Sequence, residues 1–151
     1  MSLLATRLSA ENVRCRSAAS SRKRVLQEIA QTLACASVSA DELFDGLMAR
    51  ERLGSTGLGE GVAIPHCRAD VAQITLAVVS TDAPIDYEAP DQSDVDLFFA
   101  LVVPTDEHNA HLGALAELSE MLSDQGNRQH LRGCKDNQEL VVSIKRLLGK
   151  T

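Results

Sequence analysis

Two histidines stand out as the residues best suited to chemistry. His66 follows Pro65 at the end of a short apolar run, directly after a glycine-rich stretch. The proline fixes the backbone direction before the imidazole and contributes no N–H donor. His111 lies on the apolar face of a predicted helix, where a polar ring needs a partner or a chemical role. The other residues of that face are Leu115, Leu118 and Leu122. The alternatives are that His111 is a hydrogen-bonded core residue and that His66 is a surface or half-buried residue.

Arg50 lies at the end of another predicted helix, just before the glycine-rich stretch 54–61. An arginine is favoured there by the helix dipole, so helix capping is one interpretation. Its guanidinium also matches the oxygens of a phosphate group, which is the second interpretation. Glu60 could orient an imidazole N–H or pair with an arginine. His108 lies off the leucine face of its helix and is expected to face solvent.

Several site chemistries fit these residues poorly. A metal site would need a third ligand beside the two histidines, such as Glu60 or Cys67, and no short-range ligand spacing supports one. The sequence Gly54-Ser55-Thr56-Gly57 is not a nucleophile elbow, and no Gly-Lys-Ser/Thr follows it as in a phosphate-binding loop. A predicted helix precedes it, whereas a dinucleotide fingerprint follows a strand. Phosphoryl transfer through imidazole fits best, because neutral imidazole is a nucleophile near pH 7 and such transfer needs mainly positioning and nearby positive charge.

The composition sets limits on location and ligands. The net charge of −6 over 151 residues disfavours binding to nucleic acid or to anionic membranes, which both need clustered cations. No apolar run matches a membrane-spanning helix or a signal peptide, so we expect a soluble, cytoplasmic protein. The four cysteines are widely spaced, and we expect reduced thiols. We expect no metal and no cofactor.

Predicted helices lie before, between and after the predicted strands. This order indicates one α/β domain in which helices cover a mixed sheet. Glycine-rich residues 54–61 are predicted to form a loop, and residues 81–94 a turn-rich segment. Strands are expected at Ile74–Ser80 and Val95–Val103. The predicted helix starts are Ser20 or Ser21, the capping box Ser39–Glu42, Thr105 or Asp106 (running to about Ser123), and Asp136. Buried stripes are expected at Val25, Leu26, Ile29 and Leu33, at Leu43, Phe44, Leu47 and Met48, and at Leu140, Val141, Ile144, Leu147 and Leu148.

The stretch from Arg50 to His66 closely resembles the signature of IIA domains of the phosphotransferase system, of the fructose/mannitol type. It is most similar to the nitrogen-regulatory branch (EIIA-Ntr), in which Gly-Ser-Thr-Gly precedes Gly-x-Gly-x-Ala-Ile-Pro-His. The likeness continues in Leu101-Val102-Val103-Pro104 and in the spacing of His111, Leu112, Leu115 and Leu118. It covers nearly the whole chain and implies a single domain over residues 1–151, with a core of about 10–149. The implied fold is an α/β sandwich, a mixed β-sheet flanked by helices on both sides.

The resemblance also implies roles for individual residues. His66 takes the place of the phosphorylated histidine, with its Nε2 (tele) nitrogen as the nucleophile. His111 takes that of the histidine that stabilises the phosphoryl group, and Arg50 that of the arginine that contacts it. The implied supporting residues are Gly54, Ser55, Thr56, Gly57, Gly59, Glu60 and Pro65.

The implied partners are proteins. The donor would be a phosphorylated HPr-like carrier (NPr in the nitrogen branch), and the output would be regulation of potassium transport, kinases or nitrogen-metabolism proteins. Two alternatives stay open: a binding regulator without significant phosphotransfer, and a component that delivers phosphate to a fructose/mannitol-type sugar permease.

Cys67 departs from the pattern, because the family usually has glycine directly after Ile-Pro-His. A side chain there could narrow the access of the donor, or could make the site redox-sensitive if the pKa of its thiol is depressed. A tolerated small residue is the third interpretation.

Overall fold

The computed structural model describes residues 2–107 and 109–149, and it shows helices on both faces of one sheet. The prediction for His108 therefore lies outside the described residues. The helices are α1 (Leu3–Arg7), α2 (Arg22–Leu33), α3 (Ala40–Leu53), α4 (Asn109–Leu122), α5 (Gln125–Arg132) and α6 (Asn137–Leu148). The strands are β1 (Val13–Ser17), β2 (Gly57–Gly59), β3 (Val62–Ala63), β4 (His66–Ala69), β5 (Thr75–Ile85) and β6 (Val95–Pro104).

The sheet is mixed, as the sequence predicts. Its order is β1-β5-β6-β3-β2, and β4 pairs with β6 beyond the end of β3. Strand β5 runs antiparallel to β6, whereas β1 is parallel to β5, and β3 and β4 are parallel to β6. The long central strands β5 and β6 therefore form the frame on which the shorter strands are placed.

Two hydrophobic cores cover the two faces of the sheet. Helices α2 and α3 pack on one face, and α1, α4, α5 and α6 supply the other. Adjacent Phe98 and Phe99 on β6 divide between these cores, because successive side chains of a strand point to opposite faces. The expected sandwich with helices on both sides is confirmed. Among the described residues, no helix is both long and apolar enough to cross a membrane.

Three predicted helix caps are present. The side chains of Ser21, Ser39 and Asp136 accept hydrogen bonds from backbone N–H groups at the starts of α2, α3 and α6. The stripe of α2 (Val25, Leu26, Ile29 and Leu33) and that of α6 are buried. Local patterns of capping residues and hydrophobic periodicity were therefore sufficient to predict these helices from the sequence.

The glycine-rich stretch was predicted to be a loop throughout. Instead, Gly57–Gly59 forms β2 and pairs with β3. The tight reversal between these strands uses Glu60 at φ 58° and Gly61 at φ 80°.

The predicted turn-rich segment is wrong in its first part, since β5 continues to Ile85. Pro84 is tolerated there because the pairing with β6 is irregular between Ser80 and Ile85.

Two helices differ from the prediction. Helix α4 begins at Asn109 rather than near Asp106, because a turn in which the Glu107 N–H donates to the Pro104 carbonyl precedes it. Helix α5 has no apolar stripe in its sequence. It buries Leu131 and Arg128 and is capped by Asp124.

Removal of the α3 cap should destabilise the fold by a defined amount. The exposed Ser39 hydroxyl accepts from the Glu42 N–H at 3.1 Å. We expect Ser39→Ala to lower the free energy of unfolding by about 1 kcal/mol, and Ser39→Gly by only a few tenths of that. Urea denaturation measures both. Equal losses in the two variants would contradict a capping role.

Candidate functional site

The chain that continues from β3 into the edge strand β4 is interrupted by Pro65 and presents His66. Val62 of β3 pairs with Leu97, and His66 of β4 pairs with Leu101, so the register on β6 is the same on both sides of Pro65. The Pro65 carbonyl also accepts from the Leu101 N–H at 2.9 Å. Proline lacks an N–H and is tolerated at the edge of a sheet. His66 is therefore held in register at the margin of the sheet.

The His66 ring forms a hydrogen bond with the backbone. Its Nδ1 lies 2.8 Å from the Ile64 carbonyl oxygen. A carbonyl oxygen can only accept, so Nδ1 carries the proton and donates it. In the neutral ring Nε2 then keeps its lone pair, which is the arrangement that a nitrogen nucleophile requires.

Burial lowers the pKa of His66 below its ordinary value, because it disfavours the charged form. The positive charges of Arg50 and Arg68 lower this pKa further. The hydrogen bond to Ile64 and the negative charge of Glu51 act in the opposite direction. The neutral imidazole therefore predominates at pH 7.

His111 comes to the same place from α4. Its ring centroid lies 5.2 Å from that of His66, and the two rings are inclined by 53°. The rest of its helix face behaves as predicted, since Leu118 and Leu122 are buried and Leu115 packs against the same core. The structure brings the two predicted histidines together although they lie in different elements.

A cleft of about 530 Å³ opens beside these two rings, between α3, β4 and α4. Arg50 of α3 lines it together with His66 and His111. The Arg50 Nη1 donates to the Gly54 carbonyl at 2.8 Å, which occupies one of the five N–H donors of the guanidinium. Capping of α3 and contact with an anion are thus compatible roles for this side chain.

Part of the glycine-rich stretch adjoins His66. Ser55, Thr56 and Gly57 line a smaller pocket, of about 240 Å³, with His66 and Arg50. Gly57 passes so close to the next loop that an added Cβ would lie 2.7 Å from the Cβ of Ala89. The close approach therefore requires glycine at this position.

Other predicted residues of this stretch lie elsewhere. Gly54, at φ 151°, ends α3, and Gly59, at φ 90°, belongs to the β2–β3 hairpin. Two roles were predicted for Glu60, pairing with an arginine and orienting an imidazole. Its carboxylate lies 3.8 Å from Arg128 Nη2, which fits the first role, and not at the His66 ring.

Cys67 also lines the cleft beside His66 and Arg50. It packs with the α2–α3 core, and a Cβ added to Gly46 would lie 3.3 Å from its Sγ. Burial raises the pKa of the Cys67 thiol to about 11. The condition for a redox-sensitive thiolate, a depressed pKa, is therefore not met. All four cysteines are free thiols.

Two charged residues of the site were not predicted from the sequence. Glu51 is buried and accepts hydrogen bonds from Thr56, but in sequence it looks like one more charge at a solvated helix end. Arg68 lines the cleft and donates to the carbonyls of Glu107 (2.8 Å) and Pro104 (3.3 Å). Its position two residues after His66 on one strand was the signal that could have revealed it.

Within residues 2–107 and 109–149, no three His, Cys, Asp or Glu residues are grouped to hold a metal ion.

Comparison with known proteins identifies similar sequences and folds. The family model for the phosphoenolpyruvate-dependent sugar phosphotransferase system, EIIA 2, matches residues 6–146. The nitrogen regulatory protein of Pseudomonas aeruginosa is 42% identical over 127 residues, which cover 82% of this chain and 82% of that protein. The nitrogen regulatory protein of Escherichia coli K12 is 35% identical over 144 residues, covering 93% and 88%.

A solved structure agrees with these sequence matches. The crystal structure of nitrogen regulatory protein IIA-Ntr from Neisseria meningitidis superposes with a TM-score of 0.90 at 36% identity. The match covers 97% of this chain and 99% of that one. The fold and the sequence therefore lead to the same family.

The state of the His66 ring can be tested by titration. Nitrogen-15 NMR should show a pKa below about 6.5, with the proton on Nδ1 in the neutral ring. The unfolded chain then binds more protons than the folded one between the lowered pKa and about 6.5, so the free energy of unfolding should fall as the pH drops through this window. His66→Gln should flatten that slope. A pKa at or above 6.5 would contradict this description.

Proposed function

The chain belongs to the EIIA 2 family of the phosphoenolpyruvate-dependent sugar phosphotransferase system, in its nitrogen-regulatory branch, and we propose that it accepts a phosphoryl group on His66. The observation that carries this proposal is the hydrogen bond from Nδ1 to the Ile64 carbonyl, which leaves Nε2 as the free nucleophile. The proposed donor is a phosphorylated HPr-like carrier, NPr in this branch.

The transfer is an exchange between two imidazoles. The Nε2 lone pair of His66 forms a bond to the phosphorus, while the bond from phosphorus to the donor histidine breaks and its electron pair returns to that nitrogen. Since the transition state is loose, the protein contributes mainly positioning and charge stabilisation. The chain is thus a stoichiometric phosphocarrier of the transferase class.

Two residues that line the cleft support the phosphoryl group in this proposal. Arg50 offers the planar fork of donors that fits phosphate oxygens. The ring of His111, 5.2 Å from that of His66, is close enough for both rings to contact one phosphoryl group. Ser55, Thr56 and Gly57 line the adjoining smaller pocket, which also includes His66 and Arg50.

The proposed output is regulation by phosphorylation state. A phosphoryl group adds about two negative charges at the cleft, which changes an interface by repulsion or by new pairing with arginine. The similar proteins from P. aeruginosa and E. coli bear the name nitrogen regulatory protein. The proposed targets are proteins of potassium transport, kinases, or proteins of nitrogen metabolism, and the proposed location of the chain is the cytoplasm.

Two other functions make different predictions. A purely binding regulator would keep its effect on partners when His66 is replaced by alanine. A sugar-transport component would pass its phosphoryl group to the next component of a fructose/mannitol-type permease. The nitrogen-regulatory relatives favour regulation over sugar transport.

Intact-mass spectrometry tests the phosphocarrier proposal. The protein is incubated near pH 8 with phosphoenolpyruvate, the first enzyme of the system and the HPr-like carrier. We expect one phosphate adduct that is lost on acid treatment and absent from His66→Ala. A wild-type chain without an adduct would overturn the proposal and leave the binding regulator.

The role of Arg50 can be separated from that of a general positive charge. We expect Arg50→Ala to slow phosphorylation by roughly 10- to 100-fold, because a hydrogen bond to a charged group is worth about 1.5–3 kcal/mol. Arg52→Ala is the matched control, since Arg52 is exposed in the same last turn of α3. Rapid-quench kinetics measures both. Equal rates in the two variants would remove Arg50 from the phosphoryl site.

A further inference from the structure

Glu51 is a buried carboxylate next to the site. Only 4% of the residue is exposed, and none of the ion pairs among the described residues includes it. Its partners are the N–H of Thr56 at 2.9 Å and the Thr56 hydroxyl at 2.8 Å and 2.7 Å from the two carboxylate oxygens. Burial of a charge without a counter-charge costs free energy. The proposed phosphoryl transfer offers a reason for keeping one here.

A continuous chain of hydrogen bonds joins this carboxylate to the His66 ring. Thr56 is fixed by Glu51, and the Thr56 carbonyl accepts from the Ile64 N–H at 3.1 Å. The Ile64 carbonyl in turn accepts from His66 Nδ1 at 2.8 Å. Each link fixes one residue, so the orientation of the imidazole depends on the position of the Glu51 carboxylate at the other end.

The charge of Glu51 matters for the product of the transfer. When Nδ1 keeps its proton and Nε2 bonds to phosphorus, the imidazole ring becomes formally cationic. A fixed negative charge near that ring stabilises it, and a poorly solvated site strengthens the effect. The same charge already opposes the lowering of the pKa of His66 by Arg50 and Arg68. Together with burial, the Glu51 charge also raises the pKa of Tyr87.

We propose that Glu51 is a positioning residue for phosphoryl transfer. It holds the His66 ring through Thr56 and Ile64, and it supplies the buried negative charge that stabilises the phosphorylated ring. This inference rests on the proposed function of His66. It assigns to Glu51 no contact with the phosphoryl group, because Glu51 acts through other residues.

Two variants separate the charge from the hydrogen bonds. Glu51→Gln removes the charge but keeps an oxygen that accepts from the Thr56 N–H. Thr56→Val keeps the charge and the backbone N–H but removes the hydroxyl. Glu42→Gln is the control, because Glu42 is an exposed glutamate in the first turn of the same helix. Circular dichroism establishes that each variant is folded.

We expect Glu51→Gln to lower the pKa of His66 measured by nitrogen-15 NMR. It should also reduce kcat for phosphorylation by roughly tenfold or more, with little change in KM for the carrier, since the lost interaction strengthens in the transition state. The phosphorylated variant should hydrolyse faster. Thr56→Val should slow transfer without lowering the pKa of His66, and Glu42→Gln should match the wild type.

A pKa of His66 and a kcat that both stay at the wild-type values in Glu51→Gln would overturn the inference. If Glu51→Gln does not fold, Glu51→Asp decides: it keeps the charge with a shorter reach, so kcat should fall and the pKa of His66 should not. An unchanged kcat in Glu51→Asp would overturn the positioning role. The NMR titration uses the unphosphorylated protein, so it tests Glu51 even if the wild type accepts no phosphate.

Discussion

The hydrogen bond from His66 Nδ1 to the Ile64 carbonyl is the contact on which the site depends, because it decides which ring nitrogen is free. It forms only if the chain between Val62 and His66 stays in register on β6 while Pro65 interrupts the regular strand. That register is set by the long β5–β6 pair at the centre of the sheet. The two helical layers then bring Arg50 and His111 to the same edge from opposite directions.

The electrostatics of the site balance two requirements. Before transfer the ring must be neutral, and burial with the nearby arginines lowers the pKa of His66 accordingly. After transfer a ring that is still protonated at Nδ1 becomes cationic and favours a negative neighbour. Glu51 lies on the α3 side of this site and Arg50 is its neighbour in sequence, so one helix end supplies both signs of charge. Their side chains diverge, one to the Gly54 carbonyl and the other to Thr56.

Much of the fold was predictable from local signals, since Ser21, Ser39 and Asp136 cap their helices through neighbouring backbone groups. The pairing of His66 with His111 was predictable because motif and helix face agreed. Non-local effects account for the rest: the glycines of β2 form a strand only because β3 lies beside them, and α5 folds with little apolar surface of its own. The burial of Glu51 has no sequence signal, because its partner Thr56 lies beyond the end of α3.

The most direct test of this account uses protein labelled with nitrogen-15 in its histidines and phosphorylated by its carrier. NMR correlation of phosphorus with the ring nitrogens shows which nitrogen carries the phosphoryl group. We expect phosphorus bonded to Nε2 of His66, with Nδ1 still protonated and hydrogen-bonded to Ile64. Phosphorus on Nδ1 of His66, or on another histidine, would contradict this expectation, because the Ile64 bond would then not define the nucleophile.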